Sequence, residues 1–146
     1  MTSPHPNRMS LRTLAHALLR LVAAAGLVVD TVIHARLAGH YDAVAKTVSE
    51  GDLFRAEAGA AALAALLVLL WRRRAGDIFA LAVAAAGLAA ILLYRYADIG
   101  ALGPLPDMYE PVWSTDKATA AWAQGIALLA LAVLLIRPAD GRTPAS

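Results

Sequence analysis

The sequence predicts an all-α protein, an integral membrane four-helix bundle that runs up and down. Three observations carry this expectation. Four apolar segments are each close to bilayer length, polar connections separate them, and basic and acidic residues alternate from one connection to the next. Hydrophobic residues make up 60% of the chain and charged residues 16%, against roughly 25% charged in a water-soluble domain. Residues 60–71 and 80–93 are apolar on every face and lack the alternation of a barrel strand. In water such helices would need more protein around them than this chain supplies, whereas lipid removes the difficulty.

The expected spans are residues 14–37, 53–71, 78–96 and 117–136 in a single transmembrane domain covering 1–146. Each supplies about 20 residues, enough at 1.5 Å per residue to cross a hydrocarbon core of about 30 Å. The first follows a polar, arginine-bearing start that has the outline of a secretion signal. Its apolar stretch continues past Ala23, Ala24 and Ala25 to Leu37, which is long for a cleaved signal, so the segment is expected to be retained. Arg20, Asp30, His34 and Arg36 interrupt it, while the fourth span carries Gln124 as its lone side-chain amide.

The first connection, residues 38–52, is acidic overall, and the second is a short turn around Arg72, Arg73 and Arg74. The third, residues 97–117, holds Pro104, Pro106 and Pro111, which remove backbone donors and argue against a continuous helix. Its apolar residues point either to a loop folded back on the bundle or to anchoring at the interface by Tyr109 and Trp113. Arg8, Arg12, Arg20, the three turn arginines, Arg137 and Arg142 all fall on one side of a four-span chain. The positive-inside rule places that side, with both termini, in the cytoplasm of a bacterial-type plasma membrane. The first and third connections then face outward.

Several functions are disfavoured at this stage. The chain has no cysteine, which excludes disulfides, thiolate chemistry and cysteine-held zinc or iron–sulfur centres. It has no glycine-rich phosphate loop and no HExxH or GxSxG motif. A net charge of +2 with scattered basic residues gives no expectation of nucleic acid as a partner. No cofactor can be assigned. The expected partners are membrane lipids, with a homo-oligomer, a larger membrane complex, or a small ligand or ion as further candidates.

The chemistry-bearing pattern lies in the outward half. Gly26, Asp30 and His34 recur every four residues and share one helix face, so the carboxylate can pair with the imidazole or orient it. A carboxylate within a span costs about 3 kcal/mol on insertion scales and should face protein or water. Glu57, Tyr94, Asp98 and Gln124 reach a similar depth, and with Asp30 and His34 they make a cluster that is either ligand-binding or structural. Asp30, His34 and Glu57 are weak metal candidates, because a metal site needs more ligands than one Asp-xxx-His pair. In the structural alternative Asp30 pairs with Arg36, Arg55 or Arg95. His16 and Arg20 are expected near lipid headgroups. Small-residue stripes at Ala56, Ala60 and Ala64, at Ala82, Ala86 and Ala90, and at Ala121, Gly125 and Leu129 are candidate helix seams.

Three functional expectations follow. The first is an accessory or structural subunit of a membrane assembly. The second is an autonomous outward-facing module that binds, transports or senses a small molecule or ion. The third is a membrane enzyme working through the Asp30/His34 pair, with no residue assigned as catalytic.

Overall fold

The computed structural model describes residues 11–137, so Arg8 and Arg142 lie outside the described residues. Four long helices follow one another: α1 (Leu11–Ala38), α2 (Glu50–Leu66), α3 (Arg74–Tyr96) and α4 (Thr115–Ile136). Each long helical stretch is long and apolar enough to cross a membrane. Among the described residues there is no strand element.

Local chemistry sets the helix ends. α1 tightens into a 3-10 turn at Gly39–Tyr41. α2 opens on a capping box in which the Ser49 hydroxyl accepts from the Asp52 amide at 3.0 Å and the Asp52 carboxylate accepts from the Ser49 amide at 3.4 Å. It closes in a π-helical turn, Leu67–Trp71, stopped by Arg72 in the left-handed conformation with φ of 51°. The second connection is therefore only Arg72 and Arg73, and Gly76 and Asp77 belong to the first turn of α3, where both are buried. The Ser114 hydroxyl caps α4 by accepting from the Lys117 amide at 3.1 Å.

α1 packs against α2 and α4, and α3 closes the ring between those two. Arg36, late in α1, meets Asp116 in the first turn of α4, whereas Arg20, early in α1, meets Asp77 in the first turn of α3. The core is built largely of small side chains, among them Ala23, Ala61, Ala64, Ala80, Ala84 and Ala127, with Leu27, Val68 and Leu131 as its larger members. Large apolar residues lie outside instead: Leu70 is 76% exposed, Trp122 75% and Leu129 68%. Within the four apolar windows only 28% to 39% of the residues are buried.

The seams are offset from the stripes expected in the sequence. Ala82, Ala86 and Ala90 are exposed, and the buried line on α3 is Gly76, Ala80, Ala84 and Gly87. On α4 the buried line is Ala120, Ala123, Ala127 and Ala130, which leaves Leu129 outside and Gly125 half-buried. On α2 Ala64 is buried, Ala60 half-buried and Ala56 exposed. Alanine is so frequent that several four-residue spacings compete, and the winning face carries the buried Gly87 on α3 and the buried Gln124 on α4.

At Gly26 the approach of α1 to α4 is close: a Cβ there would lie 2.6 Å from the Ala123 carbonyl oxygen and 3.1 Å from the Ala127 Cβ. Backbone cannot yield as a side-chain tip does. Gly26→Val is expected to lower stability by about 1–3 kcal/mol through overpacking, read as a lower unfolding midpoint in detergent. Gly39→Ala, where a Cβ meets nothing within 4 Å, is the control and is expected to leave the midpoint nearly unchanged.

Arg20 is engaged within the bundle, half-buried at the α1–α2–α3 junction with 12% of its side chain exposed. Its guanidinium donates to both Asp77 carboxylate oxygens, at 2.7 and 2.8 Å, and to the Val68 carbonyl oxygen at 2.8 Å. Val68 lies in the π-helical turn, where the altered hydrogen-bond spacing leaves a carbonyl for an outside donor to satisfy.

Candidate functional site

Asp30 on α1 is fully buried, and so is Gln124 on α4. The Gln124 amide nitrogen donates to Asp30 Oδ1 at 2.7 Å and reaches Glu57 Oε1 on α2 at 3.4 Å. His34 Nδ1 lies 2.9 Å from Asp30 Oδ1 and 3.1 Å from the Asp30 carbonyl oxygen. Both of those neighbours are acceptors, so Nδ1 carries the proton and the ring's orientation is fixed by Asp30. α3 contributes by omission: a Cβ at Gly87 would collide with Gln124 Nε2 and lie 2.6 Å from Glu57 Oε1. All four helices thus meet at one polar junction. Asp30 Oδ2 and Gln124 Oε1 are buried there with no hydrogen-bond partner.

Beside this junction lies a cavity of about 570 Å³, which Asp30 and Gln124 themselves do not line. His34, Glu57 and Gly87 line its base, and Ile33, Leu53, Ala86, Ala90 and Ile91 give it apolar walls. The His34 ring meets Phe54 edge-on, with centroids 5.2 Å apart and planes at 86°, and Tyr41 packs against the same Phe54 at 4.9 Å. Towards the mouth lie Tyr41, Tyr94, Glu50, Glu110, Asp116 and Lys117.

The third connection folds back to build that mouth, which is one of the two arrangements its sequence allows. The Thr47 and Val48 amides donate to the Pro104 carbonyl oxygen at 3.2 and 3.1 Å, tying the first connection to the third. The Glu110 amide donates to the Tyr94 carbonyl oxygen at 3.0 Å. Lys117 Nζ donates to the Glu110 and Val112 carbonyl oxygens and pairs with the Glu110 carboxylate at 2.8 Å. Leu105 and Met108 from the loop then face the cavity. On the outer side Arg95 lies over the Tyr96 ring at 4.8 Å and the Trp113 ring at 5.6 Å.

Of the residues singled out in the sequence, Asp30, His34, Glu57 and Gln124 converge, and Tyr94 lines the same cavity nearer its mouth. Asp98 stands apart, accepting from the Gly100 amide at 3.3 Å in an exposed turn. The basic partners considered for Asp30 are engaged elsewhere: Arg36 with Asp116, Arg55 with Asp42 at 2.8 Å and Asp52 at 3.2 Å, and Arg95 with the aromatic rings. The Arg55 guanidinium, hydrogen-bonded to Asp42, holds that carboxyl below its ordinary range. Among the described residues no three His, Cys, Asp or Glu side chains are grouped to hold a metal ion, so Asp30, His34 and Glu57 do not form such a set. Sequence reasoning missed Gly87, Phe54 and Lys117. The signal for Gly87 was an isolated glycine in a strong helical pattern, which often marks a close approach.

Compared with known protein families, characterised proteins and solved structures, the chain matches none of them. The functional reading therefore rests on the cavity and the junction beside it.

Proposed function

We propose that the chain is a multi-pass integral membrane protein, an up-and-down four-helix bundle whose cavity binds a small molecule from the outward side. In this reading both termini and the Arg72–Arg73 connection are cytoplasmic in a bacterial-type plasma membrane, following the distribution of arginine. Large apolar side chains on the exterior and alanine in the interior support lipid as the surrounding medium, because water would penalise so much exposed apolar surface. The observation that carries the binding reading is the 570 Å³ cavity itself, apolar-walled with a few convergent polar groups at its base.

The test uses 4-phenylbutanol as a neutral probe, ligand-observed NMR, and protein in nanodiscs with empty nanodiscs as the blank. Saturable binding to the wild type is expected. Ala86 lines the cavity from an exposed position, so Ala86→Trp is expected to fill the space and abolish saturable binding while the helical circular dichroism stays intact. Equal binding by wild type and variant would remove the cavity reading.

One observation favours a second reading, an accessory subunit of a larger assembly. The face of α4 bearing Ala121, Trp122, Gly125 and Leu129 takes little part in the internal packing and borders a shallow depression with Trp113. Gly125→Leu is expected to dissociate such an assembly in mild detergent, read as a fall in particle mass. An unchanged monomer mass for both proteins argues for autonomous binding.

A further inference from the structure

The ionic pairs around the cavity leave a particular residue of charge. Lys117 is held by Glu110, and Arg36 by Asp116. Among the described residues this leaves Glu50 and Glu57, both lining the cavity, without an ion-pair partner. They stand seven residues apart on α2, on one face and about 10 Å from each other along the helix axis.

Acceptors are likewise in excess at the junction beside the cavity. Gln124 directs its amide nitrogen to Asp30 and Glu57, and His34 directs Nδ1 to Asp30. After those donations Asp30 Oδ2 and Gln124 Oε1 remain buried and unpartnered. Neither Asp30 nor Gln124 lines the cavity; Glu57, which does, is the junction acceptor within reach of a bound donor. Buried acceptors of this kind call for a donor. An anion or a pure acceptor would add to the excess. The walls add Phe54, Tyr41 and Tyr94, whose ring faces are attractive to a cation, together with the apolar Ile33, Leu53 and Ile91.

We infer that the cavity selects an amphipathic organic cation that donates hydrogen bonds, a primary or secondary ammonium on an aromatic or aliphatic body, with Glu57 as its counter-ion. The ammonium sits at the base beside Glu57, and the body lies along the apolar wall beneath Leu105 and Met108. Glu50 attracts the cation at the mouth. Among the described residues no three His, Cys, Asp or Glu side chains are grouped to hold a metal ion, and the cation inferred is an organic one. The inference rests on the cavity being a binding site.

The experiment compares three probes with the same body: 4-phenylbutylamine, 4-phenylbutanol and 4-phenylbutyrate, titrated into the wild type and Glu57→Gln in nanodiscs. A charge-assisted hydrogen bond predicts that the amine binds the wild type roughly tenfold or more tightly than the alcohol, and the carboxylate least. Glu57→Gln is expected to remove that advantage, so that the variant binds amine and alcohol about equally. The head-group order in the wild type is informative by itself, so the inference remains testable even where the variant does not fold. Alcohol binding that Ala86→Trp abolishes, with no preference for the amine, would overturn the cation inference and leave the cavity reading standing. Absence of saturable binding by all three probes would overturn both.

Discussion

Asp77→Ala is expected to destabilise the protein by about 3–5 kcal/mol, because it strands a buried guanidinium whose remaining partner is one carbonyl oxygen. Asp77 is 4% exposed, and its carboxylate takes two parallel hydrogen bonds from Arg20, the geometry in which an ion pair is most directional. The pair also links α1 to α3 while Arg20 reaches the π-helical turn that ends α2, so its loss loosens three helices at one end. The double substitution Arg20→Met with Asp77→Leu is expected to recover most of the stability, since no charge is then left buried. Unfolding in mixed detergent, followed by circular dichroism, measures both. Equal midpoints for the wild type and Asp77→Ala would show that the pair contributes little to holding the helices together.

The second large effect lies at the opposite end of the core. Gln124→Leu is expected to cost about 3 kcal/mol, because Asp30 and Glu57 lose the same donor while both stay in place. Leucine is close in volume to glutamine, so the loss is one of hydrogen bonding and not of packing. Trp122→Leu, two residues earlier on the same helix but 75% exposed, is the control, with an expected change within about 0.5 kcal/mol. A Gln124→Leu protein as stable as that control would mean that the polar junction is not held through the amide.

These two sites differ in how far they were legible from the residues alone. The polar cluster was readable because Asp30, His34, Glu57 and Gln124 each interrupt an apolar helix at a similar level, and level follows directly from residue number along a helix. The Arg20–Asp77 pair was not, because its partners are 57 residues apart and Asp77 looked like part of a turn. The helix starts earlier than the turn residues imply: the left-handed Arg72 completes the reversal almost by itself, and α3 begins at Arg74. Asp98 failed to join the cluster for a related reason. α3 ends at Tyr96, after which the chain leaves the helix axis and position no longer translates into level. The alanine stripes were ambiguous because period alone cannot choose among faces when most faces are alanine. Gly87 marks the packed face of α3, where a Cβ would meet side chains of α2 and α4, whereas Gly125 on α4 marks no such approach, so glycine alone would not have chosen.

The absence of cysteine makes the threading of the chain directly measurable. Single cysteines placed at Arg73, between α2 and α3, and at Asp107, in the loop between α3 and α4, can be probed in intact cells with a membrane-impermeant maleimide. Asp107→Cys is expected to label from outside and Arg73→Cys only after the membrane is opened, with both proteins remaining in the carbonate-washed membrane fraction. Labelling of both positions from the same side, or recovery of the chain in the soluble fraction, would contradict this threading.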